Sequence, residues 1–331
     1  MQNSTSKKIV CIGGGTGTFV ALRGLKSYQH NLSAIVTMSD SGGSNRRLRD
    51  EFGLLPTSDL RQCLVALADE SGGVGLLRKL FMYRFEKGNG IAGMTFGNLF
   101  MAALTDILGS QEEAIRKTGK VLRIKGAVIP VTFTDTNLFA TYENGHTVSE
   151  EHLIDEPEHD GKLKITNVYL KPDATANPDA LKAIKQADLI VIGPGDLYTS
   201  IIPNVLVAGV GEAIAQTKGK VVYVLNLMTK FGQTYAFKAS DHVKALEALI
   251  GKSLDYVIVN SDMAFPKEAL TAYADCHEEP VIDDLTDREF AVVRAPLVSS
   301  AVVEKSAADT LVRSLIRHDS DLLAKTIVSL L

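Results

Sequence analysis

The segment KIVCIGGGTGTFVALRGL, residues 8–25, closes a short apolar run with glycine at four of the five positions 13–17. Only then does it turn periodic, with Phe19, Leu22 and Leu25 at helical spacing. A strand, a turn almost without side chains and a helix, in that order, open a parallel α/β sheet. Gly13, Gly14, Gly15 and Gly17 present backbone N–H groups and the positive end of a helix dipole, with no Cβ to hold a ligand away. Thr16 and Thr18 add hydroxyls to that donor set. The run is still not a complete dinucleotide fingerprint: counting from Gly13 or Gly15, the third-glycine position holds Thr18 or Val20. A phosphate-cradling Lys-Ser/Thr pair is absent as well, so a tight crossover and a ligand loop both remain open readings.

The same grammar recurs twice. The strand SAIVTMS, residues 33–39, runs into SDSGGSNRRLRDEFG, which places Asp40 at a strand tip ahead of Gly42 and Gly43. An acid there can accept from ribose hydroxyls or cap the following helix. Of Arg46, Arg47 and Arg49, at most two can turn toward a ligand, and Arg47 is the candidate phosphate clamp. Further on, ADLIVIGPGDLYTS sets Gly193 and Gly195 around Pro194, with Asp196 at the start of the next helix as a candidate nucleotide-binding residue or a plain cap. Each turn follows a strand of parallel character, so all three project from the carboxyl edge where open sheets bind ligands.

With 331 residues and 45% hydrophobic composition the chain can bury a large core, and a net charge of −4 gives no general grip on a nucleic-acid backbone. Three cysteines, at 11, 63 and 276, fit neither a disulfide framework nor a zinc knuckle and suit a reducing cytoplasm. Residues 1–8 are too short for a signal peptide, and no apolar run reaches membrane-spanning length. The seven histidines form no spaced metal pair; His242 is placed in the first turn of a helix, and most of the others are expected in solvent.

The organisation expected is one α/β domain over residues 1–331, a Rossmann-like, doubly wound and mainly parallel sheet. It is interrupted by a helical insert at about 58–119 and a β-hairpin excursion at about 126–171, and closed by an amphipathic helix. Aromatic stacking on a base would fall to Tyr198, Tyr235 or Phe231.

The ordered motifs IGGGTGTFVALRGLK, SDSGGSNRRLRDEFG, DLRQCLVALAD, GNLFMAALTDI, ADLIVIGPGDLYTSIIPNVLV and YVLNLMT resemble the gluconeogenesis-factor branch of the CofD-like family, from about residue 8 to the end. The resemblance implies a CofD-like fold in a cytoplasmic bacterial protein that binds UDP-sugars, UDP-N-acetylglucosamine above all. It also implies a regulatory role in cell shape and envelope metabolism on gluconeogenic carbon, exercised through a protein partner not identified by sequence; a homo-oligomer is compatible with it. The nucleotide loops match at Gly13 to Gly17 and Gly193 to Gly195, Asn98 falls in a shared motif, and Tyr273 and Arg317 correspond to the tyrosine and arginine used for UDP-sugar binding. The sister branch implies the alternative, a 2-phospho-L-lactate transferase-like enzyme with a nucleotide diphosphate donor and magnesium. Against that alternative, Ser41 stands where the family carries a second acid and Met94 where it carries a histidine. No metal ligand and no catalytic residue is therefore assigned, and binding is favoured over catalysis. A nicotinamide-dependent dehydrogenase comes last, for want of the third glycine.

Overall fold

The computed structural model describes residues 6–28, 30–71, 73–286, 290–300 and 314–331. Its first unit is β1 (Lys8–Gly13), α1 (Thr16–Leu25) and β2 (Asn31–Val36). Five helices follow: α2 (Gly43–Phe52), α3 (Ser58–Leu67), α4 (Gly73–Met82), α5 (Phe96–Leu108) and α6 (Gln111–Val121). Next come β3 (Ala127–Pro130), β4 (Asn137–Tyr142), β5 (Thr147–Ser149), α7 (Glu151–Asp155) and β6 (Ile165–Lys171). The second half alternates: α8 (Pro178–Gln186), β7 (Leu189–Ile192), a π-turn at Leu197–Ile201, α9 (Ile202–Val205), α10 (Val210–Ala215), β8 (Lys220–Val224), α11 (Ala239–Ile250) and β9 (Tyr256–Asn260). The last elements are α12 (Lys267–Asp275), β10 (Ala291–Ala295) and α13 (Ser320–Val328).

Seven strands form one sheet in the order β10-β9-β8-β7-β1-β2-β3, and every pairing in it is parallel. Order therefore reverses between β1 and β7, the place where doubly wound sheets open a crevice beyond their carboxyl ends. Strands covered on both faces read as unbroken apolar runs: LIVI of β7 is buried throughout, as are four of the five residues of β8. The closing helix returns to the start of the chain, and Gly24 of α1 lies so close to Ser320 and Ala324 that a side chain there would collide with α13.

Helix boundaries follow ordinary capping chemistry. Ser110 accepts from the Glu113 N–H at 3.2 Å with Glu112 and Glu113 in the first turn of α6, and Asn177 caps α8 with Pro178 at its first position. Asp319 accepts from two N–H groups, Asp321 at 3.0 Å and Leu322 at 2.9 Å, at the start of α13.

The helical insert is present as α3 to α6, preceded by α2. The β excursion begins later than its sequence suggests. Residues 127–130, expected within it, form the parallel edge strand β3 of the main sheet, and the separate antiparallel sheet β5-β4-β6 spans 137–171. An edge strand with one well-covered face alternates buried and half-buried residues, here across Ala127–Pro130, and so resembles a hairpin strand in sequence.

Candidate functional site

The turns after β1 and β7 meet at the reversal point and touch each other. A Cβ at Gly17 would overlap the Pro194 carbonyl, and one at Gly14 would come 2.7 Å from Ser200 Oγ and 2.9 Å from Asp59 Oδ2. Gly15 is equally hemmed in by Asp59 and Gln62 of α3. No side chain caps α1, whose Ncap is Gly15, so its first N–H groups are left to whatever enters the crevice. The second half of the crevice is fixed from behind: Asn226 Nδ2 donates to the Gly195 carbonyl at 2.8 Å, Tyr223 Oη donates to Asn226 Oδ1 at 3.1 Å, and His242 Nδ1 lies 3.3 Å from Tyr223 Oη. Burial holds the His242 pKa down at about 4, so the ring at the end of this chain is neutral.

The turn after β2 forms the facing wall. Asp40 Oδ1 accepts from the Gly42 N–H at 2.9 Å and Oδ2 from Asn45 Nδ2 at 2.6 Å, so the carboxylate fixes its own turn while lining the cavity. Asn45 Oδ1 in turn accepts from Thr57 N, Ser58 N and Ser58 Oγ, which ties the turn to the start of α3. Arg47 donates to the Ala92 carbonyl at 3.0 Å and to the Gly90 carbonyl, drawing the α4–α5 loop over the cavity. Arg46 pairs outward with Asp50, and Arg49 turns away to Asn137 and Asp135. One arginine of the three reaches the cavity wall.

Together these turns enclose about 660 Å³. Its wall holds Gly15, Thr16, Gly17, Asp40, Gly42, Gly43, Arg47, Gly195, Asp196 and Arg317 from the sequence-based set. Gly13, Gly14, Gly193, Asn98 and Tyr273 lie outside the wall. Thr18 is buried against Gly13 rather than presented to a ligand. Asn98 is fully buried, accepting from Arg61 Nε at 2.9 Å and donating to Ser44 Oγ and Ser58 Oγ at 3.0 Å each; it is a brace for wall residues. Tyr273 packs with Leu227, Met228, Phe265 and Ile316, and its hydroxyl accepts from the backbone just ahead of Arg317. Met94 is buried with Leu48 and Ala102, away from the cavity. Tyr198, Tyr235 and Phe231 are also outside the wall.

Several wall residues escape sequence reasoning. Glu151, His152 and Asp155 of α7 come from the β excursion; the Ser41 hydroxyl lies 3.0 Å from His152 Nδ1 and the Ser41 N–H donates to Glu151 Oε2 at 3.4 Å. The residue that replaces the family's second acid therefore secures an imidazole and a carboxyl at the same wall. Burial, with the charges of Asp40, Asp155 and Asp59, pushes the Glu151 pKa well up. Asp196 does not cap the element after it; burial first and Asp155 second raise its pKa to about 6, while Lys230 opposes. Burial disfavours the Lys230 ammonium, yet Asp155, Asp196 and Glu278 together raise its pKa above the usual lysine value. Arg61, Arg84 and His318 are also in the wall. His318, one of the histidines of which most were expected in solvent, is 7% exposed and neutral, its pKa held down at about 4 by burial. The only sequence signal for the α7 acids is their i, i+4 spacing on a short polar helix, which surface helices share.

Carboxylate oxygens are the donors a hard divalent cation takes. Among the described residues, however, no three His, Cys, Asp or Glu side chains converge into a group that could hold one.

An uncapped helix N-terminus, two interlocked glycine turns at the reversal point and a cavity carrying several arginines define a doubly wound α/β protein with a candidate ligand site at its topological switch point. A model of the family described as 2-phospho-L-lactate transferase CofD matches residues 9–298. The "Gluconeogenesis factor" of Bacillus subtilis is 40% identical over 329 residues, covering 98% of this chain and 98% of that protein. The protein of the same name from Halalkalibacterium halodurans is 42% identical over 280 residues, covering 84% of each. The crystal structure of a Bacillus halodurans protein superposes with a TM-score of 0.88 at 36% identity, covering 98% of this chain and all of that one. The chain belongs to the CofD family, in its gluconeogenesis-factor branch.

Proposed function

We propose that this protein is a cytoplasmic nucleotide-sugar receptor that binds UDP-N-acetylglucosamine and passes its bound state to a protein partner in envelope or carbon metabolism. On this reading it serves cell shape and growth on gluconeogenic carbon. The observation that carries the reading is the meeting of the β1 and β7 turns in front of the uncapped α1, with Arg317 in the same wall. A diphosphate takes backbone N–H groups at such a helix start, and an arginine fork takes a phosphate or sugar oxygen. The test is a thermal-shift series with UDP-N-acetylglucosamine, a GDP-linked ligand and NAD, each with and without magnesium. A uridine-selective, metal-independent shift supports the receptor.

A CofD-type transferase is the second reading, favoured by one feature. Glu151 and Asp196 have raised pKa values in a cleft, beside His152, and perturbed carboxyls gather where proton transfer is needed. A ligand shift that appears only with magnesium, together with turnover of a nucleotide-diphosphate donor, would support the enzyme instead.

A further inference from the structure

A second cavity, also of about 660 Å³, opens at the free edge of the main sheet, beside β3. It runs along the whole of β3, from Lys8 and Asn31 at the amino ends of β1 and β2 to Phe133 and Asn177 beyond the carboxyl end of β3, and shares no lining residue with the glycine-turn cavity. Its apolar lining wraps the edge strand, with Val10 and Ile129 on one face of the sheet and Val128 on the other; Val10, Ile115 and Val128 are buried and Ile124, Ile129 and Phe133 only half-buried. Its banks are cationic: Arg116, Lys120 and Arg123 from α6 and its end, Lys182 from α8, and Lys8 from β1, against two acids, Glu112 and Asp179. That excess stands out in a chain whose net charge is −4.

Two of these cations have work elsewhere, Arg116 with Glu113 and Lys8 Nζ with Gln186 Oε1 at 2.9 Å. Lys120 and Lys182, on opposite helices, make no side-chain hydrogen bond or ion pair among the described residues. The edge strand itself is a poor template for an added strand. Pro130 has no N–H to offer, and its carbonyl already accepts from Asn177 Nδ2 at 3.1 Å. What the groove offers is side-chain chemistry: an apolar bed of small-molecule size with positive charge at its rim.

We propose that this groove is a binding site for a free amphipathic carboxylate, an apolar chain whose acid group is held between Lys120 and Lys182. The apolar body lies on Ile124, Ile129 and Phe133. The site is separate from the nucleotide-sugar reading and stands without it.

The experiment uses the full chain with 8-anilinonaphthalene-1-sulfonate as fluorescent reporter and decanoate as competitor. Saturable fluorescence, displaced by decanoate, weakened by added salt and unchanged by UDP-N-acetylglucosamine, is the expected result. The double variant Lys120→Glu/Lys182→Glu should weaken the reporter at least tenfold and leave the UDP-N-acetylglucosamine shift as it was. Ala183→Phe, which fills the groove without altering charge, should do the same and covers the case in which charge reversal impairs folding. Reporter binding equal in all three proteins, no displacement by decanoate, or displacement by UDP-N-acetylglucosamine would overturn the proposal. So would a dimer, by sedimentation, that the charge reversal dissociates, because a second copy would then occupy the groove.

Discussion

The hydroxyl of Tyr273 accepts the backbone N–H of Leu315 at 3.0 Å, two residues ahead of Arg317. Ile316 N–H points to the same oxygen at 3.4 Å. The tyrosine acts from behind the cavity wall by holding the irregular segment that carries the arginine.

Arg317→Ala should erase the UDP-N-acetylglucosamine-induced rise in melting temperature, which at 100 times the dissociation constant corresponds to about 2.7 kcal/mol. Arg317→Lys should restore only part of it, since the charge returns without the planar fork. Tyr273→Phe removes one hydrogen-bond acceptor, worth about 1 kcal/mol, and should lower the ligand-free melt by that modest amount while weakening binding several-fold through the loosened Arg317 segment. Tyr273→Ala also empties a place beside Leu227, Met228 and Ile316, and should lower the ligand-free melt as well. A full ligand shift in both Arg317→Ala and Tyr273→Phe would move the binding site elsewhere.

The two glycine turns should separate folding from binding. Gly17→Ala drives a methyl into the Pro194 carbonyl, a backbone atom that cannot swing aside, and should cost about 1–3 kcal/mol of stability. Gly195→Ala meets Ser200 Cβ at 3.3 Å and should fold nearly as well as the parent while binding the nucleotide sugar at least tenfold more weakly. Denaturant melts and ligand titrations of the two variants check this; equal behaviour in both assays would refute the assignment.

Affinity should rise as pH falls from about 8 toward 6. Asp196 sits at about 6 in the free protein, and an arriving diphosphate, being negative, raises it further. The complex then binds more protons than the free protein between those two values, so protonation and binding favour each other. Asp196→Asn should flatten this dependence in isothermal titrations at pH 6, 7 and 8. A slope of the opposite sign, or one that survives the substitution, counts against Asp196 as the group responsible.

Chelation should leave UDP-N-acetylglucosamine affinity within about twofold, a change of under 1 kcal/mol. The measurement is a titration in EDTA beside one in magnesium. A loss of tenfold or more in EDTA would turn the carboxyls of Asp40, Asp59 and Glu151 into metal ligands in the bound state and favour the transferase.

What could be read from the sequence was what is local. Three strand-turn-helix units announce themselves because glycine at a turn leaves a compositional mark, and their convergence follows from sheet topology. The α7 acids leave no such mark. Glu151 and Asp155 matter only because a small antiparallel sheet folds back over the turn after β2, a contact between Ser41 and His152 more than one hundred positions apart. Asn98 and Met94 show the converse: both stand in a segment that carries the family resemblance, yet one braces Arg61 and the other fills a small core. Motif membership marks a neighbourhood, and only packing says which member faces the cavity. His318 followed the same logic: it is buried through a bridge to Val298 and a contact with the Leu225 backbone, neither of which is near it in sequence.

The crevice between β1 and β7 also sets a clock on the nascent chain. Ile9 pairs with Leu189, 180 positions later, whereas its other neighbour, Leu32, is ready almost at once. At roughly 5–20 residues per second of synthesis, β1 waits on the order of 10–40 s for its second partner. Throughout that interval the first glycine turn has no Pro194 against it, and the ligand has only half a cradle. On the proposed function, a nucleotide sugar would therefore stabilise the finished protein but offer nothing to the growing chain until residues beyond 195 have left the ribosome.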